Sequence, residues 1–350
     1  AYTAFNAINP QMKLWRLEAI RGLLALYVLA GHAAGKATGI ATLLRFGQEA
    51  VMIFFLISGF VIEYSFSHGK KKSFFSYFTR RFIRIYGVFV PMLIACSIIS
   101  RAEIGDIEFW RLTLGNLLML QDFSAGKPNA IVPTIFASAL WSLSYEWWFY
   151  MLYHPLRTRI KENAQSRAVA TFAITSALVY AFYPFALPRL IMYFAIWWIG
   201  VEMARSYSTK DRVAFKDIKT SLATALIISL ILFCECMTKI KGLELGIHPF
   251  LETRHFIAAT AAAFTALTWQ KAQWIGFGIL KAGTFIAPIS YSVYITHQPL
   301  LLEASYLGYI ANPWVRYLFY LAIMIAFCVL TELILYPWLK KRFTSPITKK

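Results

Sequence analysis

Residues 15–32 read WRLEAIRGLLALYVLAGH, and the fold of the chain turns on what this run is. With its flanks it is long enough for a membrane span, yet it carries Glu18 and Arg21 near its start and His32 near its end. Eleven helical residues make about three turns and rise about 16 Å, so Arg21 and His32 share one face at different depths. A charged side chain at the bilayer centre costs on the order of 2.5–3.5 kcal/mol, so such groups usually face a cavity and mark function. On this helix alone, a snorkelling arginine and a histidine bonded to a neighbouring helix are an equally good account.

Outward from this run, the 350 residues are 59% hydrophobic and only 15% charged, a balance of a polytopic helical membrane protein rather than a soluble one. The apolar segments are continuous instead of alternating every second residue, which favours helices over a β-barrel. The net charge of +18 reads as cytoplasmic loops and anionic lipid, not as a nucleic-acid surface, because no basic domain stands apart from the spans. Cys96, Cys234, Cys236 and Cys328 sit in or beside apolar runs without zinc-ligand spacing and read as buried thiols; no metal is expected. A cleaved leader at the start is disfavoured by Arg21 inside the apolar core.

Windows of about 20 apolar residues fall at 16–35, 47–66, 82–100, 135–155, 168–187, 190–206, 219–237, 255–270, 284–305 and 314–337. The expected fold is therefore all-α, a single bundle of about ten transmembrane helices forming one domain over residues 1–350 with no appended soluble domain. Phe109 to Gln121 is too short and polar for a further span and fits an interfacial or re-entrant helix. With these spans, 25 of the 35 lysines and arginines fall on the side of the N-terminus, which places both termini in the cytoplasm. The longest extramembrane stretch, Arg101 to about Thr134, is expected to pack over the outer face. No internal repeat of the transporter kind is visible.

The third span opens with TRRFIRIYG, placing Arg80, Arg81 and Arg84 at the cytoplasmic mouth. Arg81 and Arg84 share a face and could fork around an anion, although the positive-inside rule alone also accounts for them. The fourth contains WSLSYEWWFYMLYHPL, where Glu146 stands among aromatics, and the ninth contains SYSVYITHQPL, with Ser290, Tyr291, Ser292, Tyr294 and His297. The second contains FFLISGFVIEY; Ser58 and Gly59 there read either as close helix packing or as the place where an acyl chain approaches the backbone. At about 1.5 Å per residue, His32 and His297 lie about 24 Å, and Glu146 about 17 Å, above the nearest cytoplasmic cation. The expected layout is a cationic vestibule at the inner side with an acid-base cluster deeper in.

In combination these residues resemble the acyltransferase-3 family of integral-membrane acyltransferases. The match is carried by Arg21 and His32 ten residues apart in between, FFLISG at Phe54 to Gly59, the Arg81 and Arg84 pair, WSLSYE ending at Glu146, and SYSVYITH ending at His297. Tyr145 and Thr296 depart mildly from the common forms. The resemblance implies an acyl-CoA donor, usually acetyl-CoA, taken from the cytoplasm, and a hydroxyl acceptor on a carbohydrate or lipid-linked sugar of the envelope, in a bacterial cytoplasmic membrane. It makes Arg21, Arg81 and Arg84 the candidates for CoA phosphates and His32 the general base or the nucleophile, with Glu146 orienting it or binding the acceptor. Ser58, Tyr291 and His297 are candidate substrate or oxyanion contacts. A transporter or flippase for a glycan or small anion is the competing class, which buried ionisable residues would also suit.

Overall fold

A computed structural model describes residues 14–35, 39–69, 73–100, 105–240, 242–270 and 276–344. Part of the charge asymmetry rests on Lys13, Lys36, Lys70, Lys71, Lys72, Arg101, Lys241, Lys271, Lys349 and Lys350, which lie outside the described residues. The helices are α1 Trp15–Ala34, α2 Gly47–His68, α3 Phe74–Ile99, α4 Ile107–Leu117, α5 Trp141–Arg159, α6 Glu162–Phe182, α7 Ala186–Lys210, α8 Phe215–Thr238, α9 Phe250–Trp269, α10 Phe277–Ile286, α11 Ser290–His297, α12 Pro313–Val329 and α13 Tyr336–Thr344. Every apolar window of the sequence falls on one of these helices or on a run of them. Six helices among the described residues are long and apolar enough to cross a membrane: α1, α2, α3, α7, α8 and the continuous run Pro313–Thr344.

Start signals are legible where the helix ends are polar. Asp106 caps α4 by accepting from the Glu108 amide at 2.9 Å, and Asn312 caps α12 by accepting from the amides of Trp314 and Val315 at 3.0 and 3.2 Å, with Pro313 in the first turn. Two of the sequence windows are refined. The fourth begins only at Trp141, after a 3-10 turn at Ser138–Leu140. The ninth is broken: α10, a 3-10 turn at Ala287–Ile289, α11, and then a π-helical segment at Gln298–Leu302.

The centre of the bundle is α7, of which 78% of the apolar window is buried, against 22% for α1 at the periphery. A helix apolar all round belongs inside, and Trp197, Trp198 and Tyr193 of α7 are fully buried. Its tightest partner is α2, and glycine makes that approach possible. A Cβ on Gly59 would stand 2.1 Å from the Trp197 carbonyl oxygen, and one on Gly200 would stand 2.0 Å from that of Leu56. Of the two readings of Gly59, close helix packing is therefore the one the fold adopts. In the same way α1 meets α10 through Gly22, whose added Cβ would lie 2.3 Å from the Gly283 carbonyl oxygen.

The expected interfacial segment is α4, and the stretch after it folds back over the end of α5. Two short strands, Gln121–Asp122 and Val132–Pro133, pair in parallel. Ser144 donates to the Gln121 carbonyl at 2.6 Å and Trp148 Nε1 to the Met119 carbonyl at 2.8 Å, so polar groups of α5 satisfy the loop backbone that lipid could not.

Candidate active site

The hub of the site is α11, whose residues each reach a different neighbour. Ser290 accepts from Arg21 Nε at 3.2 Å; Tyr291 donates to the Ile85 carbonyl at 3.2 Å; Ser292 bonds Thr331 at 3.0 Å; Tyr294 bonds Ser142 at 2.8 Å. His297 Nε2 lies 2.6 Å from His32 Nδ1. An eight-residue helix thus ties α1, α3, α5 and the π-helical segment Leu330–Leu335 together. Arg21 meets the start of α11 and His32 its end, so α1 and α11 run in the same direction.

The histidine pair has a defined polarity. His297 Nδ1 is 3.1 Å from the Val293 carbonyl, which can only accept, so that nitrogen carries a proton. In the neutral ring Nε2 is then an acceptor, and His32 Nδ1 must be the donor across the 2.6 Å contact. The proton of His32 is placed on Nδ1, and Nε2 is left with its lone pair. His297 is fully buried, whereas His32 is exposed near the end of α1, on the helix stripe that Ala25 and Val28 bury, so its ring stays accessible while its orientation is held from inside. The two rings are nearly parallel, at 11° with centroids 4.9 Å apart.

Glu146 belongs to a second cluster. Its Oε1 accepts from Ser58 Oγ at 2.7 Å and from Tyr150 OH, and Ser58 also accepts from Trp197 Nε1 at 3.2 Å. The partner of His32 is therefore His297 rather than Glu146, and the Ser58 hydroxyl points at a carboxylate. Arg81 lies beside this cluster, its guanidinium 5.8 Å from the ring centres of both Tyr77 and Tyr150. Arg84 is ion-paired to Glu332 and sits between Tyr291 and Tyr336, 4.9 and 5.1 Å from their ring centres. Arg21 is committed to Ser290, to the Ala287 carbonyl at 3.3 Å and to Glu18 at 3.1 Å. Arg80 donates to Ser76 at 2.5 Å.

Two site residues escaped the sequence reading. Tyr150 was legible as Glu146 plus four, on the same helix face. Glu332 was not: it sits in an apolar run and is aimed by a π-helical segment that no periodicity reveals. Tyr145, read as a departure from the family pattern, serves another place. Its hydroxyl donates to Asp122 at 2.7 Å and accepts from Arg189 Nε at 3.0 Å in a cluster under the loop that follows α4. Thr296, the other departure, donates to the Ser292 carbonyl at 2.7 Å within α11.

A helical membrane bundle with an oriented imidazole and arginines close by fits a group-transfer enzyme. Residues 14–333 match the family model of an acyltransferase domain, and this chain belongs to the acyltransferase-3 family. It is 33% identical over 161 residues to the acyltransferase MdmB of Streptomyces mycarofaciens, a match covering 43% of this chain and 40% of that protein. No solved structure matches.

Proposed function

We propose that the chain is a multi-pass membrane O-acyltransferase of the bacterial cytoplasmic membrane, moving an acyl group, acetyl in the simplest case, from cytoplasmic acyl-CoA to a hydroxyl of an envelope carbohydrate or lipid-linked sugar. The reading rests on one observation above the others: a histidine on an apolar helix whose Nδ1 proton is fixed by His297, leaving Nε2 as the basic nitrogen. In the proposed step Nε2 takes the acceptor's hydroxyl proton as the oxygen attacks the thioester carbonyl. The C–S bond breaks, an ester remains on the acceptor, and the CoA thiolate takes the proton from His32 Nε2 and leaves as the free thiol. While it holds that proton His32 is cationic, and the line from His297 to the Val293 carbonyl supplies acceptors for the charge.

CoA carries phosphates that cannot enter hydrocarbon, and α3 supplies charge-assisted donors, Arg81 first among them, on the side from which the donor would come. Glu146, with Ser58 and Tyr150, is then placed to bind the acceptor's hydroxyls. His32→Ala is expected to lower transfer from acetyl-CoA by about 10²–10⁴-fold while the protein still inserts and purifies. Full transfer by a well-folded variant would remove the assignment. Envelope glycans analysed by mass spectrometry with and without the protein would identify the acceptor.

A further inference from the structure

The two arginines of the Arg81 and Arg84 pair, alike in sequence, are unlike in surroundings. Arg84 bonds Glu332, a carboxylate 4% exposed, and is enclosed by Tyr291 and Tyr336. Arg81 makes no ion pair among the described residues, and its buried Nε has no hydrogen-bond partner. Taken together, Arg84 and Glu332 are neutral, and a neutral pair held between aromatic rings attracts a phosphate far less than a lone guanidinium does.

We propose that Glu332 is a specificity-determining positioning residue: by neutralising Arg84 it leaves Arg81, of the two, as the cation that reads the donor's phosphates. The proposal rests on the acyl-CoA reading above. Glu332 can do this because the π-helical segment Leu330–Leu335 turns it inward, and Thr331 in the same segment is bonded to Ser292 of α11. The silencing carboxylate is thereby fastened to the element that carries His297.

The test is the preference, in kcat/KM, for acetyl-CoA over acetyl-pantetheine, which has the same thioester and arm but none of the nucleotide phosphates. Both donors are measured on one preparation, so loss of folded enzyme cancels from the ratio. Arg81→Gln is expected to lower the preference about tenfold, and Arg84→Gln, which uncovers the buried Glu332 carboxylate, to lower it as well, so that the comparison that decides is with the Arg84→Gln/Glu332→Gln double variant. Glu332→Gln, which uncovers the Arg84 charge, is expected to raise it severalfold, and the Arg84→Gln/Glu332→Gln double variant to restore the wild-type ratio. If burying an unpaired charge abolishes the activity of the Glu332→Gln single variant, the double variant still decides. It should keep the preference, and adding Arg81→Gln should remove it. A preference that falls as far with the Arg84→Gln/Glu332→Gln double variant as with Arg81→Gln overturns the proposal. Transfer from neither donor by the wild-type protein removes the donor reading beneath it instead.

Discussion

His297 contributes to the proposed chemistry only through what it does to His32. A neutral imidazole can place its single proton on either nitrogen, and the bond to His297 decides which one. His297→Ala removes that constraint, and a rate loss of roughly 10²-fold or more is expected, in the direction seen wherever a catalytic histidine loses its orienting partner. His297→Gln offers a carbonyl oxygen to the same proton and should keep more activity than the alanine variant. Equal initial rates for the two variants would show that His297 only fills space. The residue pattern announced His32 and His297 as candidates. That the two touch, and with which nitrogens, was beyond it, because one lies 265 positions from the other along the chain.

Between elements, the approach of α2 to α7 decides where Ser58 stands. Gly59 faces the Trp197 carbonyl, and the Trp197 indole in turn donates to Ser58 at 3.2 Å. Gly200→Ala would put a methyl group 2.0 Å from the Leu56 carbonyl oxygen, against backbone that cannot swing away. The helices would have to part, at a cost of about 1–3 kcal/mol. A lower melting temperature in detergent and reduced transfer are expected together, because separation draws Ser58 from Glu146. Gly278→Ala, where an added Cβ meets nothing within 4 Å, is the control and should change neither. Unchanged melting of Gly200→Ala would mean that this contact does not hold the pair. Glycine in an apolar window was readable as a small residue, but its partner helix was not.

For the molecule as a whole, a buried polar network ties the loop after α4 to the bundle. Asp122 accepts from Arg189 Nε at 2.8 Å and pairs with Lys127 at 3.2 Å, and Arg189 reaches Tyr180 at 3.0 Å. Tyr180 donates to Glu252 at 2.8 Å, and His248, in the connection between α8 and α9, lies 3.3 Å from Glu252 and 2.9 Å from Glu235. Lys239 also pairs with Glu235. Burial alone would lower the His248 pKa, but the hydrogen bonds to Glu235 and Glu252 outweigh it and raise it above the ordinary value. A raised folded-state pKa means that the folded protein holds this proton more tightly than the unfolded chain. The stabilisation is full below about pH 6.5, the ordinary histidine value, and is lost as pH rises through the folded-state pKa. Melting in detergent should thus fall as pH rises above about 6.5, and His248→Asn should flatten that slope. Lys127, pushed down to about 8 by burial, acts in the opposite sense as pH rises through that value. An unchanged slope in the asparagine variant would clear His248 of the effect.

What the residues determine by themselves follows from short-range rules. Apolar length fixes where helices lie, and ionisable groups set in those runs mark the polar interior, because lipid makes both features costly to place by chance. Five short motifs in order give the family. Pairing is another matter: that His32 meets His297, that Glu146 turns to Tyr150, and that Arg84 is neutralised by Glu332 depends on helices brought together from distant parts of the chain. A π-helical turn and a few glycine contacts set those approaches, and neither leaves a periodic trace, so only the tertiary structure could decide them.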